Sequence, residues 1–162
     1  DDRAHAVARE PQCRGQPGPH RRGLLRHPAL LHRLDRGSLR LLAAMERHIG
    51  LRLEDRDCFV SLAGGLRLKD PALDLAACLA VAGSWREKSV PADMVLLGEV
   101  SLLGEVGRVP QLELRLKEAA KAGFKRALVP ARAAQDLPKT LGLSVRGVAD
   151  LREAAEAAFG LD

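Results

Sequence analysis

The sequence predicts an α/β protein, in the form of an α+β sandwich whose helices pack on a mixed sheet. Three observations carry that prediction. Beyond Arg36, segments with apolar residues every three or four positions alternate with short runs rich in Val and Leu. Glycines such as Gly50, Gly64, Gly98 and Gly104 punctuate the boundaries between them. Aromatic residues make up only 2% of the chain, so the core has to be built from Leu, Val and Ala.

Taken in order, the first element is a helix capped by Ser38, with Leu39, Leu42, Met45 and Ile49 on one face and Gly50 at its end. The run DCFVSLAGG predicts a strand that Gly64 and Gly65 terminate, and residues 66–68 are a short continuation. A helix follows from Pro71 to Trp85, apolar nearly all round, which places it inside the fold. After the polar loop REKSVPAD, short strands are expected at Val95–Leu97, Val100–Leu103 and Val106–Val109, as a meander or hairpin pair. QLELRLKEAAKAG predicts a helix with Leu112, Leu116 and Ala119 inward and Gly123 as its C-terminal cap. RALVP is expected as a buried strand, ARAAQDLPKTLG as a short helix and turn, LSVRGV as a strand and ADLREAAEAAFG as a last helix.

A chain of 162 residues suffices for one domain with a real core, because about two thirds of the unfolded surface is buried at this size. That domain is expected over residues 35–162. Residues 1–34 differ in kind: they hold four of the five His, four of the nine Pro, seven Arg and no Lys. No period persists there before Leu30, so the segment is expected to be disordered or not native coding sequence, with a frameshift or junction near residues 30–35. It carries a net charge of +4 and the remainder only +1, so the compact part has no nucleic-acid signal in its composition. The absence of any long apolar run excludes a membrane span and favours a cytoplasmic protein. Cys13, Cys58 and Cys78 are too few and too widely spaced for a zinc site or a disulfide framework, so no metal is expected.

Two GEV turns (98–100 and 104–106), the loop WREKSVP and the segment AAKAGFKRALVP together resemble the Lon-protease-like C-terminal domain of the bacterial DNA repair proteins RadA, also called Sms. The similarity covers about residues 35–162. It implies a Lon protease C-terminal-domain-like fold and a homo-oligomer, a hexameric ring by family analogy. It also implies a parent that is a DNA-dependent ATPase of the RecA type, acting in repair and recombination. The parent's zinc finger needs four cysteines and its ATPase a G-x-x-x-x-G-K-[ST] loop; this sequence has neither, so ATP, magnesium and zinc are expected only in other parts of the parent. The implied role is a non-proteolytic scaffold that supports ring assembly and DNA engagement. The alternatives are a Lon-like serine peptidase, or the Lon-like part of a magnesium-chelatase-related ATPase.

Active Lon enzymes use a serine whose proton is taken by a lysine of depressed pKa. The resemblance puts Ala72 at the serine position and Glu113 or Leu114 at the lysine position, so no catalytic residue is expected. Asp70 precedes Pro71 at a helix start and is expected to cap it, while Asp74 sits in the first turn where the helix dipole favours a negative charge. Glu99 and Glu105 are expected at turn edges rather than as a carboxylate pair. The densest basic group, Arg108, Arg115, Lys117, Lys121, Lys125 and Arg126, is the candidate for DNA contact, diluted by Glu113 and Glu118.

Overall fold

The computed structural model describes residues 36–52 and 70–160. Residues 1–34, the side chain of Ser38, and the strand expected over 57–65 with Cys58, Gly64 and Gly65 lie outside the described residues, as does the continuation 66–68.

Helix α1, Arg36–Ile49, begins two residues before Ser38, which lies within it rather than at its cap. Its buried residues are Leu41, Ala44, Met45 and Ile49, with Leu42 half-buried against the same core, so the expected Met45 and Ile49 face inward; the side chain of Leu39 lies outside the described residues. The single helix expected from Pro71 divides into a 3-10 turn, Pro71–Leu73, and α2, Asp74–Arg86. The short turn forms because Asp70 draws in two amides: its Oδ1 accepts from Ala72 N at 3.0 Å, and its carbonyl accepts from Leu73 N at 3.0 Å. Helix α2 buries Leu75, Cys78, Leu79, Val81 and Ala82 around most of its circumference, as its uniform apolar composition dictates.

The strands are β1, Met94–Leu96; β2, Glu99–Val100; β3, Val106–Gly107; β4, Arg126–Pro130; and β5, Ser144–Val148. Between them lie α3, Leu112–Lys121, and α4, Ala131–Ala134, and the last helix is α5, Leu151–Phe159. Of the expected meander or hairpin pair, one hairpin forms, and the first strand pairs elsewhere. β1, β4 and β5 form a parallel sheet in the order β1-β4-β5, and only β2 and β3 form an antiparallel hairpin. A parallel neighbour needs a crossover, and α3 supplies it between β1 and β4. Gly98 separates the two pairings: a Cβ there would meet Val106 Cγ1 at 2.6 Å, so only glycine lets the chain cross at that point.

Alternation along the central strand sorts the core into two layers. Leu128 packs with Leu96 and Val148 against α1, α2 and α5, and the hairpin residues Val100 and Val106 join that cluster. Ala127 and Val129 face a second cluster with Leu112 and Leu116 of α3, together with Leu97, Val109, Leu141 and Ala72. Helices thus cover both faces of the parallel sheet, an α/β arrangement. Among the described residues no helix is long and apolar enough to cross a membrane.

Candidate functional site

The turn from Asp70 to Leu75 lies beside the C-terminal end of β1. Two backbone bonds stitch it there, Gly98 N to Ala72 O at 3.0 Å and Leu75 N to Gly98 O at 3.0 Å. Ala72 is fully buried, and its methyl belongs to the apolar cluster of Leu97, Val109, Leu112, Leu116, Ala127 and Val129. The position that the resemblance pairs with a nucleophile is therefore a packing position.

The lysine position is equally displaced from chemistry. Leu112, Leu116 and Ala119 turn inward on α3, and at about 100° per residue Leu114 points nearly opposite to them and Glu113 sideways. Glu113 is exposed and pairs with Lys117 at 2.6 Å, and Leu114 is 53% exposed. The residue of α3 that does reach the turn is Arg115, which lies beside the inward face. Its Nη2 donates to Asp70 Oδ2 at 2.7 Å and its Nε to Pro110 O at 3.2 Å. Asp70 thus holds the amide of Ala72 with one oxygen and Arg115 with the other, tying α3 to the turn.

Asp74 stands in the first turn of α2 as expected and makes contacts that this position alone did not suggest. No side-chain hydrogen bond caps α2, and Asp74 Oδ2 instead accepts from Val100 N at 3.2 Å and from Arg40 Nη2 at 2.6 Å. Arg40 also approaches Glu99, Nη1 to Oε1, at 3.6 Å. One guanidinium on α1 therefore spans a buried carboxylate on α2 and a half-exposed one on the hairpin. Burial raises the Asp74 carboxyl above its ordinary value; the Val100 amide and the Arg40 charge oppose that shift without cancelling it. Arg40 gave no sequence signal, since its partner lies 34 residues away.

The β2–β3 hairpin is braced at its tip. Ser101 Oγ accepts from the amides of Leu103 and Glu105, both at 3.2 Å, and His48 of α1 bonds Leu102 O at 3.2 Å. Gly104 has φ +75° and a Cβ on it would meet the His48 ring at 2.6 Å, which is why a glycine begins the second GEV triplet. Glu105 is exposed and makes an isolated bridge with Asp150, and Leu102 and Leu103 project at 58% and 67% exposure. Trp85 is half-buried against the α1, α2 and α5 cluster, while Arg86 donates to Ile49 O at 3.2 Å. Cys78 is fully buried, and burial first, then the Asp74 charge, pushes its thiol up to about 12.

Five of the six residues of the basic group carry ion pairs. Arg108 pairs with Asp136 at 3.1 Å, Arg115 with Asp70, Lys117 with Glu113 and Lys121 with Glu118 at 2.7 Å. Arg126 clasps Asp93 through two nitrogens, and that hydrogen bonding holds the Asp93 carboxyl below its ordinary value. Of the six, only Lys125 has no ion pair among the described residues. No group of three or more His, Cys, Asp or Glu able to hold a metal ion occurs among the described residues.

Comparison with known proteins agrees with the resemblance read from the GEV turns and the AAKAGFKRALVP segment. A family model described as subunit ChlI of Mg-chelatase matches residues 35–133. The DNA repair protein RadA of Bacillus subtilis (strain 168) is 44% identical over 121 residues, which are 74% of this chain and 26% of that protein. The DNA repair protein RadA of Synechocystis sp. is 48% identical over 92 residues, 57% of this chain and 18% of that protein. The Salmonella typhimurium protein of the same name is 44% identical over 114 residues, 70% of this chain and 25% of that protein. The chain spans about a quarter or less of the length of these curated relatives.

Proposed function

The chain belongs to the family described as subunit ChlI of Mg-chelatase, and from that membership we propose that it is a non-proteolytic, Lon-like scaffold of a RadA-type DNA repair and recombination ATPase. In this reading it supports assembly of a homo-oligomeric ring and offers a surface to DNA, while ATP, magnesium and zinc belong to other parts of the parent. The observation that carries the reading is Ala72. Where a Lon-type peptidase needs an exposed hydroxyl, this chain has a methyl packed among Leu97, Leu112 and Leu116, and the charged α3 side chain that reaches the turn is Arg115, already engaged by Asp70. A guanidinium stays protonated at any working pH, so Arg115 cannot take a proton from a nucleophile.

The family model's own description favours a second reading, the Lon-like part of a magnesium-chelatase-related ATPase. Identities of 44% and 48% to RadA proteins support the first more strongly.

Two measurements on the 162-residue chain test the proposal. Incubation with casein and with a serine-reactive fluorophosphonate should give neither cleavage nor labelling; cleavage abolished by substitution of one of its own serines overturns the non-proteolytic reading. Light scattering across a concentration series should show a mass above the monomer, and a strict monomer throughout moves the ring-forming determinants elsewhere in the parent.

A further inference from the structure

Among the described residues three large apolar side chains are exposed, and they occupy two places. Leu102 and Leu103 form the tip of the β2–β3 hairpin, and Leu114 stands on α3. The other apolar residues of these elements are buried: Val100 and Val106 pack in the first cluster, Leu112 and Leu116 in the second. A single leucine in water needs no explanation, but two adjacent ones on a braced tip do.

The tip is held rather than loose. Ser101 Oγ fixes the amides of Leu103 and Glu105, His48 bonds the carbonyl of Leu102, and Gly104 lets the chain turn against the His48 ring. A side chain on such a support loses little further freedom when it is covered, so more of its burial appears as affinity. Leu114 stands on an equally firm element, and at about 100° per residue Lys121 falls on nearly the same line of α3, with Lys117 and Glu118 on either side. Lysine stems extend the apolar surface beside a leucine while their heads stay in water. Glu105, two residues past Leu103, is exposed and has no ion pair among the described residues. The tip therefore brings a free carboxylate, and α3 offers two lysines whose own exposed ion pairs are weak in water.

The two places cannot cover each other within one chain. The tip rests on α1, which lies on the sheet face of Leu96 and Leu128, whereas α3 covers the face of Ala127 and Val129. A projecting apolar tip on one side and an apolar helix face on the other are two different patches, the requirement of a head-to-tail contact. Taking ring assembly as proposed above, we infer that the subunit contact is made by the hairpin tip of one copy, Leu102 and Leu103, seated on the outer face of α3 of the next, at Leu114. The occupant is a second copy because both halves of the contact belong to the same chain. A two-fold contact, tip to tip or α3 to α3, would leave the other patch in water.

The test is a mixing experiment on the whole chain, read as mass by size-exclusion chromatography with light scattering across a concentration series. The double variant L102S/L103S removes the tip and L114S removes the face; all three side chains are exposed, so far-UV circular dichroism should not change. Where the unmodified chain assembles, each variant alone should run as the 17.5 kDa monomer. An equimolar mixture of the two should reach twice that mass and stop, because one intact tip meets one intact face and no further site is left. Assembly retained by either variant alone, or a mixture that stays monomeric across the series, overturns the head-to-tail assignment while leaving ring assembly intact. A strict monomer for the unmodified chain overturns the assembly reading on which this contact rests.

Discussion

Replacing Ala72 by Ser restores the hydroxyl that a Lon-type nucleophile requires, and the structure states what that restoration does. Ala72 has no exposed surface, and its methyl lies in a cluster built wholly of aliphatic side chains. The added hydroxyl loses its water, and its one polar neighbour along the turn, Asp70 Oδ1, is already accepting the amide of residue 72 at 3.0 Å. Leaving a buried hydroxyl unpaired costs about 1–3 kcal/mol, and a new bond to Asp70 offsets part of that at the expense of the cap. The expected result is a loss of about 1–2 kcal/mol in stability, a drop of several degrees in Tm for a domain of this size, with no peptidase activity. Urea unfolding followed by far-UV circular dichroism measures the first and fluorophosphonate labelling the second. Adding a lysine at residue 113 or 114 should restore no peptidase activity, because neither position faces the cluster that holds residue 72. A72S that is labelled by the probe, or that is as stable as the unmodified chain, refutes the claim that residue 72 is a packing position.

Other perturbations read other parts of the same assembly. Arg40→Met removes the charge beside Asp74 but also removes an Arg40 Nε that is buried without a partner, so the expected destabilisation is modest, about 1–2 kcal/mol by urea unfolding. The Asp74 carboxyl is already raised above 3.8, so its contribution to stability falls as pH rises from 3.8 to its folded value and is level above that. Without Arg40 the folded value rises further and the falling segment reaches higher pH. A carboxyl carbon titration by NMR that shows no upward movement contradicts this account. Gly104→Ala forces a Cβ into the His48 ring from a left-handed backbone and should cost about 1–3 kcal/mol, again by urea unfolding, with a cost under half of that speaking against a braced hairpin. Cys78, with its thiol pushed up to about 12 and no exposed surface, should react with a disulfide reagent only as fast as the domain opens. Reaction at the rate of a free thiol in the folded chain refutes its burial.

What the sequence made legible divides along the range of the interactions involved. α3, β4, β5 and α5 fall where local pattern put them, because period, glycine caps and short apolar runs are properties of a few neighbouring residues. Of the three short segments expected as a meander or hairpin pair, the second and third do pair, but the first does not join them, because nothing within Met94–Leu96 says that its partner is Ala127 and Leu128 rather than the neighbouring segment. Asp74 stands in the first turn as expected, but its further partners were hidden for the same reason. A carboxylate in a first turn looks like a dipole complement, and only the tertiary fold brings Arg40 and the Val100 amide onto it. The basic residues make the general case: counting Lys and Arg along α3 finds the densest cluster, but pairing decides which charges are available. Glu113 and Glu118 sit in the helix register that neutralises Lys117 and Lys121, a property visible from spacing alone. Asp93, by contrast, reaches Arg126 across 33 residues, and Arg108 takes Asp136 across 28. Subtracting both kinds of pair from the described surface leaves Arg47, Arg52, Lys88, Lys125, Arg132, Lys139, Arg146 and Arg152, residues that no density count selects because they are scattered along the chain. Which of these charges stay unpaired is decided by tertiary contacts such as Asp93 with Arg126, a consequence of topology rather than of any local run.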